Sequence, residues 1–330
     1  MKLGIIMLIS FFFLQSCVSN SCIENNKKIS SLDSVHESGT FRVFYSMNPN
    51  SPDYLVNSKD MNKNDIPDIV EDILIQANTT SDALRYLGFI HPLESNRYKS
   101  KAKFIDIHLI TMQGNGNAGE NAVLHKEMKN KKNKCALVIN IRNSIDFPGN
   151  YWTIVNHELF HLYQYGYTQF KGGWYLEGMT NSMERIFKRG HQGGLNKGEI
   201  LLPSNQLELE NNVYKISYNE LWARLAVLSD HSDGQLKLPL DILDRRYIDG
   251  TKVFKDENLK GYLIFKRILE NMGEISDEIS KKNKWDKYHW KESDQIDPVN
   301  RKDMLSAIQQ AMIEFGLDKT SEQKAFLKLH

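Results

Sequence analysis

Apolar and polar positions divide the chain into a first half where strand and helix spacings alternate and a second half where the helical spacing dominates. Phe41 to Ser46 (FRVFYS) has the β-branched and aromatic content of a strand. Pro67 to Leu87 sets Ile69, Ile73, Ala77, Leu84 and Leu87 at a broken helical period closed by Gly88. Phe104 to Thr111 (FIDIHLIT) and Ala136 to Arg142 (ALVINIR) alternate as strands do. From Tyr151 onward the spacing predicts helices at Tyr151 to Tyr165, Tyr175 to Arg189, Tyr218 to Leu228, Leu259 to Asn271, Arg301 to Phe315 and Ser321 to Leu329. A mixed β/α half followed by an all-helical half predicts an α+β fold. The expectation is one unit over 41–330, with an N-lobe 41–166, a helical C-lobe 167–330 and a cleft between them. No internal repeat is present.

The N-terminus has a different character. Lys2 precedes a twelve-residue apolar run, Leu3 to Leu14, in the order of a secretory signal peptide and too short to span a bilayer. Its end, Leu14-Gln15-Ser16-Cys17, resembles a bacterial lipoprotein cleavage box, in which the Cys is diacylated and becomes the first mature residue. The alternative is an ordinary signal peptide cut a few residues later, and on either reading the protein is exported. The expected organisation is a signal peptide over 1–16 and a lipid-anchored flexible tether over 17–40, rich in Asn, Ser and Lys. The expected location is that of an exported, membrane-anchored bacterial lipoprotein, in the cell envelope or at the cell surface.

Composition narrows the partners. The 42 basic residues nearly cancel the 41 acidic ones, which leaves no charge surplus for nucleic acid. Loss of Lys2 with the signal peptide keeps the mature chain neutral, so membrane attachment would come from the lipid rather than from charge. A monomer is expected. The three cysteines are too few for a disulfide framework. With Cys17 acylated, Cys22 and Cys135 remain as a pair that can bridge the tether to the body in an oxidising compartment.

The chemistry centres on Ile154-Val155-Asn156-His157-Glu158-Leu159-Phe160-His161-Leu162. On a helix His157 and His161 lie one turn apart on one face with Glu158 beside them, the H-E-x-x-H arrangement of a metal site. The apolar residues around them imply a mostly buried helix, where two imidazoles and a carboxylate are costly without a partner and a divalent metal supplies one. Catalytic zinc keeps three protein ligands. A metzincin third ligand is excluded, because Gln164 and Tyr167 stand where Gly and His are required. In the gluzincin pattern the third ligand is a Glu on the following helix, and Trp174-Tyr175-Leu176-Glu177-Gly178-Met179-Thr180-Asn181 offers Glu177. Gly166 can cap the first helix. Asn181 and Glu184 follow Glu177 at i+4 and i+7, which makes Asn181 a candidate to hydrogen-bond the second ring nitrogen of a ligating histidine.

At these residues the chain resembles the gluzincin zinc metallopeptidases, most closely a set of exported bacterial proteins regarded as metalloproteases. The resemblance rests on His157-Glu158-Leu159-Phe160-His161 with Gln164, on Trp174 to Gly178 with Glu184, and on a loop at Asp60. It implies a zincin-like fold and hydrolysis of peptide bonds in a peptide or protein substrate. Zinc would be held by His157, His161 and Glu177, with Glu158 as general base. It further implies an oxyanion donor, Tyr218 at the opening of a helix, with Tyr214 and His231 as rivals. The His161 to Glu177 spacing is shorter than in thermolysin, which has Asp where Asn181 stands. The strand Ala136 to Arg142 would be the edge to which an extended peptide adds. The rival reading is a non-catalytic surface lipoprotein that binds a protein or glycan, with a structural metal.

The Asp60 loop spaces Asp60, Asn62, Asn64, Asp68 and Glu71 at positions 1, 3, 5, 9 and 12, with the Ile66 carbonyl at position 7. That is the EF-hand calcium order, except that Asp65 replaces the turn glycine. An Asx-rich turn with Pro67 starting a helix is the alternative. Gly114 to Gly119 mimics a dinucleotide fingerprint but lacks the acidic residue about 20 positions on, and is expected to be a flexible loop rimming the cleft. The basic run from Lys126 to Lys134 reads as a solvated connection.

Overall fold

The computed structural model describes residues 22–25, 31–125, 134–149, 153–188, 200–231 and 234–330. The expected signal peptide, Cys17 and the basic run from Lys126 to Lys132 lie outside the described residues.

The three strands expected from the sequence, one by its β-branched and aromatic content and two by alternation, are present as β3 (Phe41–Tyr45), β4 (Phe104–Ile110) and β7 (Ala136–Arg142). They run parallel at the centre of a seven-stranded sheet. Val43, Ile107 and Ile139 lie in register across them, each 0% exposed. The strands are buried on both faces, with the polar Arg42 and Asp106 paired to each other at 2.7 Å. Four further strands carry no comparable alternation: β1 (Ile23–Asn25), β2 (Ser34–Ser38), β5 (Gly116–Ala118) and β6 (Val123–His125).

Two of these, β1 and β2, correct the expected tether. Part of 17–40 belongs to the sheet, since β1 pairs parallel with β6 and β2 antiparallel with β3. Leu32 is fully buried, and Cys22 and Cys135 are joined in a disulfide across 113 positions. Short polar strands are held by backbone pairing, which leaves no hydrophobic period to read.

A second correction concerns the edge. β7 is interior, with β4 on one side and β5 and β6 antiparallel on the other. The strand that pairs with β7 at its far end is β5, formed by the segment expected to be a flexible loop.

Helix α1 (Asp68–Tyr86) buries the predicted Ile69, Ile73, Ala77 and Leu84, and ends where Gly88 takes φ +84°. Pro67 is its N-cap rather than its first residue. Helix α2 (Ile154–Tyr167) packs on α1, β5 and β7, and on α3 (Gly173–Met183) and α7 (Tyr262–Asn283). Neighbours on so many sides account for its apolar residues on several faces. Gly166 lies inside α2 rather than capping it.

The remaining helices are α4 (Gln206–Leu209), α5 (Leu221–Ser229), α6 (Leu240–Leu243), α8 (Glu292–Gln295), α9 (Arg301–Glu314) and α10 (Ser321–Phe326). Helix α7 outlasts its predicted end at Asn271 by twelve residues, because Met272, Ser276 and Ser280 continue the buried stripe. A Cβ at Gly273 would lie 2.7 Å from the Tyr167 carbonyl oxygen, so a glycine is what lets α7 pass the end of α2. One apolar cluster extends from Phe41 to Phe326 through both halves. Among the described residues, no helix is long and apolar enough to cross a membrane.

Candidate metal centre

Helix α2 delivers His157, Glu158 and His161, and α3 delivers Glu177. α3 is fixed by aromatic packing. Trp174 stacks on Trp222 of α5 at 6.0 Å and 20°, and the Trp222 indole N–H donates to the Trp174 carbonyl at 3.0 Å. A Cβ at Gly178 would come within 2.4 Å of the Trp222 ring, so a glycine beside Glu177 is a condition of this approach.

The donor atoms converge. His157 Nε2 lies 3.2 Å from Glu177 Oε2, and His161 Nε2 lies 3.5 Å from Glu177 Oε1. A tetrahedral ion with bonds of about 2.0–2.1 Å sets its ligand atoms roughly 3.3 Å apart, so the spacing fits zinc. Among the described residues, His157, His161 and Glu177 are the one such group of His, Cys, Asp and Glu side chains whose donor atoms lie within 4.8 Å of one another.

Both imidazoles are held from behind. His157 Nδ1 is 3.2 Å from Glu184 Oε2, and the other Glu184 oxygen bonds Lys188. His161 Nδ1 is 2.8 Å from Gln164 Oε1, which also accepts from Thr180 Oγ1 at 3.1 Å. The Gln164 amide N–H then donates to the Leu176 carbonyl at 3.2 Å, tying α2 to α3. Such partners fix ring orientation and turn both Nε2 atoms toward Glu177, to which His157 Nε2 is hydrogen-bonded at 3.2 Å.

The expectation for Asn181 is therefore corrected. It lines the cleft, but Glu184 and Gln164 occupy the ring nitrogens assigned to it. Glu184 swings inward because α3 tightens there into a 3-10 turn, Glu184–Phe187. The available sequence signals were the i+7 spacing of Glu184 from Glu177 and the i+3 spacing of Gln164 from His161.

Electrostatics separate the groups. Burial works against a charged His157, but hydrogen bonds to Glu177 and Glu184 outweigh it and push its pKa up to about 10. Burial, with the His157 charge beside it, pushes His161 down to about 4. Burial of Glu158, opposed by His157 and reinforced by Glu177 and Glu184, pushes its carboxyl up to about 7.

The cleft encloses about 640 Å³ and is lined from the first half by Asn115 to Ala118, Thr153 and Ile154, and from the second by Glu177, Lys188 and Tyr218. Tyr218 lies ahead of α5 rather than in it, and its hydroxyl donates to Glu177 Oε2 at 3.2 Å. The rivals are elsewhere: Tyr214 is buried against Trp174, its hydroxyl 3.5 Å from the Arg301 carbonyl, and His231 does not line the cleft.

Strand β5 forms the cleft's backbone wall. Gly119 N donates to Val138 O at 2.8 Å and Arg142 N to Asn115 O at 3.0 Å. In an antiparallel pair the alternation then turns the N–H and C=O of Gly116 and Ala118 away from β7. A Cβ at Gly116 would lie 2.9 Å from Glu158 Oε1, so the missing side chain admits Glu158 to the strand.

The Asp60 loop is organised differently. Asp65 adopts φ +66°, the conformation the EF-hand glycine would supply. The side-chain amides of Asn62 and Asn64 each donate to Glu71 at 2.9 Å, and the oxygens of Asp60 and Asn64 accept loop backbone N–H groups. Asp68 accepts from Met61 N at 3.0 Å. The polar groups thus satisfy one another.

Comparison with known protein families, with curated proteins and with solved structures finds no match to the chain.

Proposed function

We propose that this protein is a zinc-dependent peptidase of zincin-like architecture. The observation that carries the reading is the approach of two imidazole Nε2 atoms to the two oxygens of Glu177, with both Nδ1 atoms engaged from behind. His157, His161 and Glu177 would hold the ion. Three converging donors among the described residues, rather than the four of a closed structural site, favour catalysis over a purely structural metal.

Bound there, zinc would supply Lewis acidity to a carbonyl and acidify water. Glu158, 4% exposed and facing the cleft, takes a proton from the attacking water and passes it to the leaving nitrogen as the C–N bond breaks. The Tyr218 hydroxyl, beside Glu177, is within reach of the cleft to donate to the oxyanion. Gly116 and Ala118 offer outward backbone groups with which an extended peptide pairs as an added strand.

Export and lipid attachment at Cys17 belong to the same proposal, and the Cys22–Cys135 disulfide supports an oxidising compartment. Metal analysis of the purified mature chain, paired with peptidase assays, tests the reading. One zinc per chain is expected, and Glu158→Gln should keep the metal while losing about 10²- to 10⁴-fold in kcat. Absence of zinc would overturn the site, and full activity in Glu158→Gln the mechanism. A Cys17→Ser protein that still partitions with membranes would overturn the anchor.

A further inference from the structure

Strand β5 has only three residues, too few for pairing with β7 alone to fix it firmly. Just beyond it stands Glu120, whose side chain is 14% exposed. One Glu120 oxygen accepts from Arg97 at 2.7 Å and from the Gln295 amide at 2.8 Å, and the other accepts from Lys171 at 2.7 Å. The Tyr98 hydroxyl donates to the Glu120 backbone carbonyl.

Each cation leads back to the metal centre. The buried Arg97 also donates to the Tyr165 carbonyl at 2.9 Å, at the end of α2, and the Tyr165 ring stacks on His161 at 6.2 Å and 20°. Lys171 sits over the Tyr165 ring at 5.5 Å, in the short turn that leads from α2 to the Glu177 helix. Gln295, 1% exposed, ends α8, and its carbonyl accepts from Lys171 N at 3.1 Å. A single carboxylate therefore joins the cleft's backbone wall to the end of α2, the α2–α3 turn and the C-terminal helices.

We propose that Glu120 is a positioning residue that fixes the β5 edge against the metal-binding helices, so that Gly116 and Ala118 meet a peptide backbone in one register. The inference rests on the peptidase reading for its effect on substrate, but its structural half stands apart. Charge-assisted hydrogen bonds of this kind are the strong ones, and neutralising their acceptor loosens the edge without touching a metal ligand.

The test uses the full mature chain with Glu120→Gln, and with Lys171→Gln as a milder second variant. Three quantities are measured: kcat and KM on a peptide substrate, zinc content, and amide hydrogen exchange over 115–119 and across α2. Glu120→Gln should raise KM about tenfold and Lys171→Gln about threefold, the range expected for lost charge-assisted hydrogen bonds, with kcat within about twofold. Zinc should stay at one per chain, and exchange should quicken at 115–119 but not in α2.

Unchanged KM with unchanged exchange would overturn the proposal. So would loss of zinc, or faster exchange throughout with kcat falling in step, because Glu120 would then be a general structural residue. If the wild type cleaves no peptide, the peptidase reading fails by itself, and exchange at 115–119 still decides whether Glu120 holds the edge.

Discussion

The α2–α3 pair and the Asp60 loop both space their polar residues as a metal site would, yet the two are built in opposite ways. In the helix pair, Glu184 and Gln164 occupy the far nitrogens of His157 and His161, so the near nitrogens have nowhere to turn but toward Glu177. In the loop, Asn62 and Asn64 spend their amide protons on Glu71, and Asp60 spends its oxygens on backbone N–H groups. Donors on packed helices, held from behind, converge on one point, whereas the loop's donors turn to one another and to the backbone. Spacing along the chain supplies candidates in both places, and the surrounding shell decides whether they form an ion site.

Removing one donor from each region should separate them most. Glu177→Ala should strip zinc from the purified protein and lower kcat/KM by on the order of 10³ or more, the equivalent of several kcal/mol of lost Lewis-acid stabilisation. Glu71→Ala should leave zinc in place and kcat/KM within about twofold, as for an exposed substitution remote from a buried network. Equal losses in the two variants would erase the distinction. The shell comes next: Glu184→Gln and Gln164→Ala, measured by zinc titration against a chelator of known affinity, should each weaken binding about 10- to 100-fold. An unchanged affinity would mean that the imidazoles need no support from behind.

What the sequence disclosed follows the same division. His157, Glu158 and His161 were legible because helical spacing carries them to one place, Glu177 came only from the gluzincin pattern of a Glu on the following helix, and the burial of α2 was legible from Val155, Leu159 and Phe160. Asn181 was misassigned because i+4 spacing shows a shared face but not what lies opposite it, and α3 gives way to a 3-10 turn at Glu184. β4 and β7 announce themselves by alternation and β3 by its β-branched and aromatic content. β5 does not, since Gly116-Asn117-Ala118 has neither length nor period, and β7 was taken for an edge because its neighbour was invisible. Glu120 shows nothing in sequence, since its partners Arg97, Lys171 and Gln295 lie 23, 51 and 175 positions away.

Thermal stability offers a smaller but cleaner contrast. An ion that binds only the folded state adds RT ln(1 + [L]/Kd), about 4 kcal/mol at a thousandfold excess over Kd. At roughly 2–4 °C per kcal/mol for a chain of this size class, saturating zinc should raise Tm by about 10 °C over the chelated protein. A shift absent from wild type would contradict a site whose three donors are supplied by two packed helices. In a protein lacking Glu177 the shift should vanish, which ties it to the site rather than to surface histidines.

Calcium should have the smallest effect. Binding at Asp60 to Glu71 requires the Asn62 and Asn64 amides to release Glu71 and turn their oxygens inward, so part of the binding energy is spent on breaking existing hydrogen bonds. The expected affinity is that of weak extracellular sites, with Kd of about 10⁻⁴ to 10⁻³ M. At a tenfold excess of calcium the stabilisation is about 1.4 kcal/mol, or roughly 3 °C in Tm. The shift should persist in Glu177→Ala and disappear in Glu71→Ala. No shift at 10 mM, about tenfold above the weaker of those constants, would mark the loop as a hydrogen-bonded turn, in which Asp65 at φ +66° serves only to start α1. A shift as large as zinc's would show instead that an exposed, self-satisfied set of donors can rearrange at little cost, and the contrast between the two regions would not hold.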